Sequence, residues 1–178
     1  MTSARTGPPE LTTGALLSGT GVADLFRASY PGMVRLAGLL GADDPEDIAQ
    51  EAFARLMQKA PPPDDPAPYL RTIVCNLTRN RHRHLRMARA KQGTAGSLAA
   101  QVAVPSSEQT AILREDHAEV IAALATLPPR RREAIVLRYW LDLSEREIAQ
   151  TMGVPRGTVK SHVSRGLAAL ARALEVTA

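Results

Sequence analysis

The sequence predicts an all-α protein made of two small helical domains joined by a flexible linker, the second domain ending in a helix-turn-helix. Apolar residues recur at helical spacing through most of the chain, without the alternating runs typical of half-buried strands. Aromatic residues make up only 3% of the chain and hydrophobic residues 44%, so the cores must be built mainly from Leu, Ala, Val and Ile. A length of 178 residues is enough for two small domains.

Stretches without helical periodicity set the predicted domain boundaries. Residues 1–21 are rich in Thr, Gly and Pro and are predicted to form a flexible leader. Residues 22–91 form the first predicted domain, and residues 108–178 form the second. Between them, residues 92–107 are uncharged and rich in Gly, Ala, Ser and Val, a composition typical of a flexible linker.

Three features of the sequence indicate the cellular compartment in which the protein is expected. No apolar run approaches the ~20 residues that a membrane-spanning helix needs. The N-terminus lacks the basic and then apolar pattern of a signal peptide. The single cysteine, Cys75, cannot form an internal disulfide, which fits a reducing compartment. We therefore expect a cytoplasmic protein without membrane insertion.

Charge is distributed unevenly along the chain, although the net charge is only +4. Residues 1–65 carry five basic and nine acidic side chains, and residues 108–178 carry ten basic and nine acidic ones. Residues 66–107 carry seven basic side chains and no acidic one. A block this basic is a candidate for binding a polyanion such as a nucleic acid.

The first domain is predicted to contain three helices. The first spans Asp24–Leu40, with a possible kink at Pro31–Gly32. The second spans Pro45–Lys59 and starts with a cluster of carboxylates, which complement the helix dipole. The proline-rich stretch Ala60–Pro68 is predicted to be an extended, non-helical loop. The third helix spans Tyr69 to about Ala90, apolar on one face at first and then strongly basic.

The second domain is predicted to begin with a helix over residues 108–127, which Pro128 and Pro129 end. A further helix, Arg130–Leu141, should bury an apolar face that includes either Tyr139 or Trp140.

A helix-turn-helix is predicted between Ser144 and Leu174. Ser144 and Glu147 have the spacing of a capping box, which satisfies backbone N–H groups in the first turn of a helix. Gly153 can adopt the left-handed conformation that ends a helix, and Pro155 is preset for the start of the next one. The second helix is expected to bury five apolar side chains: Val159, Val163, Leu167, Leu170 and Leu174.

The exposed face of this second helix carries basic and hydroxyl side chains near its start. Such a helix suits insertion into the major groove of DNA, where Arg contacts guanine edges while Lys, Ser and Thr hold phosphates. The alternative is an ordinary helical hairpin with a solvated polar face. The capping box, Gly153 and the absence of acidic residues from 156 to 173 together favour DNA binding.

Nothing in the sequence supports an enzyme. No glycine-rich phosphate loop is present, and no Ser/His/Asp or Cys/His arrangement has a spacing that suggests catalysis. His82 and His84 are two residues apart, so they do not share a helix face, and no cysteine or acid accompanies them. We expect no metal and no cofactor. Cys75 is predicted to be a buried, inert thiol.

This arrangement resembles the extracytoplasmic-function (ECF) class of bacterial RNA polymerase sigma factors, and in particular the actinobacterial SigE-like subfamily. Four segments carry the resemblance. The stretch EDIAQEAF at 46–53 is similar to the polymerase-clamp segment of the family, and 69–83 is similar to its −10 recognition helix. The stretch 127–139 is similar to its L-P-x-x-x-R-x-x-x-x-L-R-Y motif, and 143–165 to its −35 hairpin, with the G-T-V-K-S core at 157–161.

The resemblance implies a role for three sets of residues. Contact with polymerase is implied for Asp47, Gln50, Glu51, Phe53 and Met57. Binding of the −10 element is implied for Tyr69, Asn76, Arg79, Asn80, Arg83 and Arg86. Binding of the −35 element is implied for Arg156, Gly157, Thr158, Lys160, Ser161 and Arg165. Pro155 departs from the family pattern, because it replaces the Ser or Thr that usually caps the recognition helix.

The function implied is that of a transcription initiation factor without catalysis of its own. Its expected partners are core RNA polymerase, promoter DNA (duplex at −35 and opened at −10) and an anti-sigma factor, although some members of the family are controlled otherwise. The alternative is a stand-alone helix-turn-helix repressor or activator that binds duplex DNA. A repressor does not need the acidic helix at 46–53 followed by a basic helix, which favours the initiation factor.

Overall fold

The computed structural model describes residues 19–61, 63–91 and 118–177, and every regular element in these ranges is a helix. The all-α prediction is thus confirmed. In chain order the helices are α1 (Gly19–Leu39), α2 (Pro45–Gln58), α3 (Pro66–Lys91), α4 (described over 118–126), α5 (Pro129–Ile135, continued by a π-helical turn, Val136–Trp140), α6 (Glu145–Met152) and α7 (Arg156–Thr177). The predicted linker and most of the predicted leader lie outside the described residues.

Helices α1, α2 and α3 pack against one another within the predicted first domain. Its core is aliphatic, as the composition predicts, and includes the fully buried Leu36, Ile48, Leu70 and Val74. Helix α1 starts five residues before the predicted Asp24, and it continues without interruption through Pro31. Pro31 is exposed, so its ring faces solvent and does not displace a packed neighbour.

The first turns of α2 and α3 test the predicted starts of these two helices. Asp44 caps α2, because its Oδ1 accepts a hydrogen bond from the Asp47 N–H at 3.0 Å. Helix α3 begins at Pro66, so the prediction that residues up to Pro68 are non-helical is wrong. Proline is tolerated in the first turn of a helix, where its missing N–H would have no intrahelical partner anyway. The Asp65 carboxylate accepts the Ala67 N–H at 3.0 Å and completes this turn.

Helices α4 to α7 belong to the predicted second domain. The prediction that Tyr139 or Trp140 faces inward there is wrong. Their exposed fractions are 59% and 36%. Both lie in the π-helical turn, which holds more residues per turn than an α-helix and so shifts the buried face. Leu167, predicted to be buried, is also exposed, and so is Val120. With the two aromatic rings they line an apolar groove of about 570 Å³ beside Leu39 of α1.

The two domains pack closely against each other. Helix α3 contacts α6, and buried residues of both domains form one continuous apolar cluster, in which Leu70 and Val74 belong to the first domain and Leu137 and Ile148 to the second. Polar contacts cross the same boundary, and they involve side chains of α3 and α5.

Candidate nucleic-acid interface

The capping box and the turn of the helix-turn-helix are built as the sequence predicts, whereas of the five side chains expected to be buried in its second helix only Val159 is buried. The Ser144 Oγ accepts the Glu147 N–H at 3.3 Å, and the Glu147 carboxylate accepts the Ser144 N–H at 2.8 Å. The Ser144 hydroxyl also donates to the Glu147 carboxylate at 2.6 Å, and this bond together with the one from the Ser144 N–H holds the pKa of Glu147 below its ordinary value. Gly153 has a φ of +66°, in the left-handed region, and ends α6. The capping-box and turn predictions are therefore confirmed, and together they set the angle at which α7 leaves the turn.

The first turns of α7 present the predicted −35 residues. Arg156, Gly157, Lys160 and Arg165 are exposed, and Thr158 and Ser161 are half-buried on the same part of the helix. Val159 is fully buried and anchors this face to the domain. The carbonyl of Pro155 accepts the Thr158 N–H at 2.9 Å, so the backbone carbonyl starts the helix where a capping side chain is missing. A helix N-terminus bearing Arg and Lys attracts phosphate by both dipole and charge.

Two further side chains affect the electrostatics of α7. The Glu145 carboxylate lies 3.8 Å from the Arg156 guanidinium and 3.9 Å from the Lys160 ammonium group. It therefore partly neutralises the cations that the sequence assigns to DNA. His162 lies behind them, and burial, followed by the nearby Arg130 and Arg131, lowers its pKa.

Helix α3 presents four of the predicted −10 residues to solvent: Asn76, Asn80, Arg83 and Arg86. Tyr69 is half-buried and packs against the apolar core, so only part of its ring is accessible for stacking on a base. The described part of the helix after Arg79 carries no acidic side chain, and this surface is accordingly positive.

Arg79 differs from the rest of the predicted −10 stripe. Its guanidinium binds the Glu133 carboxylate of α5, with 2.9 Å between Nη2 and Oε1. The exposed fraction of the side chain is 33% for Arg79 and 6% for Glu133. In this conformation the Arg79 guanidinium is bound to the second domain. Direct contact of Arg79 with DNA, as predicted, would first require this ion pair to break.

Helix α2 presents the predicted polymerase-contact residues, with one correction. Asp47, Gln50 and Met57 are exposed, and Glu51 is partly exposed and paired with Arg55 at 2.5 Å. Phe53 is only 4% exposed and packs against the rings of Phe26 and Tyr30. We therefore remove Phe53 from the contact surface, because a ring buried in the core can support that surface but cannot touch a partner.

Sequence reasoning missed three side chains that organise these surfaces. Arg81 pairs with Asp47, and Glu133 pairs with both Arg79 and Arg130. Arg132 is 3% exposed and donates to the carbonyls of Leu40, Ala125 and Leu127, an environment that lowers its pKa through burial. Three of these six pairs join residues 34, 54 and 92 positions apart, so no local signal could have shown them.

Within residues 19–61, 63–91 and 118–177, no group of three or more His, Cys, Asp or Glu side chains is close enough to hold a metal ion. No helix in the described part of the chain is long and apolar enough to cross a membrane.

Comparison with known proteins identifies the relatives of this chain. The family described as Sigma-70, region 4 matches residues 117–170. A probable RNA polymerase sigma factor, RfaY of Xanthomonas campestris, is 33% identical over 132 residues; the match covers 69% of this chain but only 32% of that protein. RNA polymerase sigma-E factor of Streptomyces coelicolor is 30% identical over 152 residues, which cover 83% of this chain and 82% of that protein.

Two further matches agree with these. ECF RNA polymerase sigma factor SigW of Bacillus subtilis is 32% identical over 139 residues, covering 72% of this chain and 74% of that protein. Among solved structures, the fold is similar to that of sigma factor RpoE from Bartonella quintana, crystallised with the anti-sigma factor NepR. The TM-score is 0.66 at 24% identity, over 86% of this chain and 96% of that one. The chain belongs to the ECF family of RNA polymerase sigma factors, which are transcription initiation factors.

Proposed function

We propose that this chain binds core RNA polymerase and directs it to promoters by recognising their −35 and −10 elements and assisting DNA opening. In this proposal residues 22–91 serve the polymerase and the −10 element, and residues 108–178 serve the −35 element. The role is regulatory, without catalysis by the chain itself, and it is carried out in the cytoplasm. The observation that carries the proposal is the capped helix-turn-helix, with its exposed basic helix start, in a chain of this family.

The polymerase surface lies on α2. Asp47, Gln50 and Glu51 are spaced three and then one residue apart, so one helix face presents all three. Met57 adds an apolar contact at the end of the same helix, since 68% of its surface is exposed. An exposed methionine at the edge of a charged face is well suited to a protein partner, because its side chain adapts to irregular surfaces.

The −35 surface lies on α7 and the −10 surface on α3. Arg156, Lys160 and Arg165 point to solvent near the start of α7 and supply charge for duplex DNA. Loss of a base-contacting Arg should cost about 1–3 kcal/mol of binding, whereas loss of a phosphate-bound Lys should weaken all sequences alike. On α3, Asn76 can donate to and accept from a base edge, while Arg83 and Arg86 neutralise phosphates of the opened strand.

The sequence left open a stand-alone repressor or activator. Relatives that match this chain over about four-fifths of its length are sigma factors, so the initiation role is favoured. We also propose an anti-sigma factor as a partner, supported by the similar fold of RpoE in its complex with NepR.

Reconstitution with purified core RNA polymerase tests the function. We expect the chain to co-elute with the core enzyme and to start transcription from a subset of promoters in genomic fragments. The control is a variant in which Arg156, Lys160 and Arg165 are all replaced by Ala, which should still co-elute but no longer protect −35 DNA. A chain that neither co-elutes with core polymerase nor starts transcription would contradict the proposal.

A further inference from the structure

The contact between the two domains involves Arg79, a residue that the proposed function assigns to binding of the −10 element. Arg79 lies on the basic face of α3, yet its guanidinium binds the Glu133 carboxylate of α5 at 2.9 Å. Glu133 is nearly buried, and Arg130 holds its other oxygen at 2.7 Å, so the carboxylate is fixed in place. A carboxylate held by guanidinium groups resembles the way a DNA phosphate is held.

Two other contacts close the molecule at the same place. Arg132 of α5 donates to the Leu40 carbonyl of the first domain at 3.4 Å. Its guanidinium lies so close to Gly41 that a Cβ atom there would overlap Nη1. Gly41 has a φ of +87°, and its carbonyl lies 2.7 Å from the His82 ring nitrogen Nε2. The residue after α1, the middle of α3 and the start of α5 are thereby joined.

Some buried polar atoms at this contact between the two domains lack hydrogen-bond partners, which favours opening of the contact. Among the described residues, the buried side-chain nitrogen and oxygen atoms without a hydrogen-bond partner are Arg71 Nε, Thr78 Oγ1, Arg79 Nε and Arg132 Nε. A buried donor without a partner is costly, and opening would return these groups to water. The closed state therefore combines a specific ion pair with several buried polar groups that lack hydrogen bonds. A competing ligand of Arg79 can shift the equilibrium between the closed and open states.

We propose that Glu133 is an intramolecular latch that occupies Arg79 and holds the chain in a closed form with reduced affinity for promoter DNA. The inference rests on the proposed function and adds to it a form of regulation within the chain. Binding of DNA needs Arg79 to exchange the Glu133 carboxylate for a phosphate, so the two domains must separate at this point. A protein whose competent form is a minor fraction binds with its affinity reduced by that fraction.

Cys75 is a built-in reporter of the latch. It is the only cysteine of the chain and is 1% exposed. Together with Thr78, Arg79 and His82 of α3 it faces Pro129 and Glu133 of the second domain across a small void. Separation of the domains there would expose the thiol. Its rate of reaction with the reagent 5,5′-dithiobis(2-nitrobenzoate), well below the unfolding transition, therefore measures opening without DNA or polymerase.

Two variants break the latch from opposite sides. Glu133→Gln removes the carboxylate, and Arg79→Gln removes the guanidinium while leaving the Arg130–Glu133 pair in the second domain intact. The matched controls are Glu175→Gln and Arg172→Gln, which make the same charge changes at exposed positions of α7. We expect Cys75 to react about tenfold faster in both latch variants, the factor of a lost charged hydrogen bond. Both controls should react at the wild-type rate.

Binding of a short fluorescein-labelled single-stranded DNA of mixed sequence is the second measurement. We expect Glu133→Gln to bind it about tenfold more tightly than the wild type, because the competent form is more populated. Glu175→Gln controls for the change in net charge and should have a much smaller effect. Arg79→Gln should open the chain without this gain, because it also loses a phosphate ligand.

The outcomes separate the latch from the proposed function. Unchanged Cys75 reactivity in both latch variants overturns the inference, as does faster reaction without tighter DNA binding by Glu133→Gln. If the wild type and every variant bind neither DNA nor core polymerase, the proposed function fails, and the thiol reactivity still decides whether Glu133 closes the molecule.

Discussion

The Arg81 guanidinium binds the Asp47 carboxylate, with 2.5 Å between Nη2 and Oδ2. This pair connects α2, which we propose contacts polymerase, to α3, which we propose contacts promoter DNA. Hydrogen bonding to Asp47 raises the pKa of Arg81, so the guanidinium is charged at any physiological pH. A single substitution of Asp47 would therefore disturb both the observed ion pair and the proposed polymerase contact, and a matched variant is needed to separate them.

The first prediction separates these roles. Asp47→Asn removes both the ion pair and the carboxylate that polymerase would meet, whereas Arg81→Gln removes only the pair. We expect Asp47→Asn to weaken core binding about tenfold and Arg81→Gln to leave it within about twofold, as for a partly exposed charged contact. Fluorescence anisotropy of labelled protein with purified core enzyme measures both. Equal losses would assign Asp47 to the stability of the α2–α3 contact instead.

A second prediction concerns promoter opening. Asn76 is exposed on α3, and Asn76→Ala removes a side chain that can hydrogen-bond to an unpaired base. We expect the rate of opening to fall about tenfold, while the closed complex forms normally because α7 still holds the −35 duplex. Permanganate reactivity of unpaired thymines reports opening, and a gel shift reports the closed complex. Normal opening by Asn76→Ala would remove Asn76 from the −10 surface and leave the family assignment untouched.

Glu145 is predicted to restrain DNA binding by α7. Its carboxylate lies 3.8 Å from Arg156 and 3.9 Å from Lys160, so it competes with phosphate for both cations. Glu145→Gln should strengthen duplex binding by about threefold to tenfold at low salt, on specific and unrelated sequences alike, since phosphate contacts carry no sequence information. Titration of labelled duplexes checks this, with Glu175→Gln as the control for net charge. No gain beyond that control would mean that the carboxylate does not compete.

Two glycines of α7 should respond oppositely to alanine. A Cβ at Gly166 would lie 2.8 Å from Ile135 Cγ1 in the buried contact with α5, whereas a Cβ at Gly157 would meet nothing within 4 Å. We expect Gly166→Ala to lower the free energy of unfolding by about 1–3 kcal/mol through overpacking. Gly157→Ala should leave it unchanged or raise it by up to about 1 kcal/mol through helix propensity. Urea unfolding followed by circular dichroism gives both values, and a stabilised Gly166→Ala would contradict the close packing of α5 and α7.

The capping box predicts a dependence of stability on pH. Hydrogen bonds from Ser144 lower the pKa of Glu147 in the folded state below the ordinary value of 4.5. A group with a lowered folded pKa stabilises the protein above its unfolded pKa, and this stabilisation is lost as the pH falls through the folded pKa. Ser144→Ala should cost about 0.5–2 kcal/mol near neutral pH. That cost should shrink as the pH falls below 4.5.

Thermal unfolding of the wild type and Ser144→Ala across this pH range measures the difference. Ser164→Ala, at an exposed position of α7, is the control and should show no such dependence. A cost of Ser144→Ala that is the same at every pH would show that the Glu147 carboxylate takes no part in the cap.

Errors in the sequence-based prediction occurred where a local rule has an exception or where packing decides. Proline was taken to exclude a helix at Pro66–Pro68, yet the first turn of a helix accepts it. The burial of Tyr139 or Trp140 assumed a regular helix, and the π-helical turn changed which face is buried. Phe53 was assigned to a surface by resemblance, although its position on α2 points into the core beside Phe26. In each case the residue type was compatible with both outcomes.

The helix-turn-helix could be predicted in detail because its signals act over very few residues. Ser144 with Glu147, the left-handed Gly153 and the buried Val159 depend on partners within one or two helical turns, so the order of residues is sufficient. The closed packing of the domains could not be predicted in this way. Arg79 and Glu133 are 54 positions apart, and an arginine in a sequence does not by itself show whether its partner is a carboxylate, a phosphate or water. Their pairing depends on where α3 and α5 come together in three dimensions. Because Glu133 is buried there, replacing its carboxylate by another partner of Arg79 changes the stability of the domain contact.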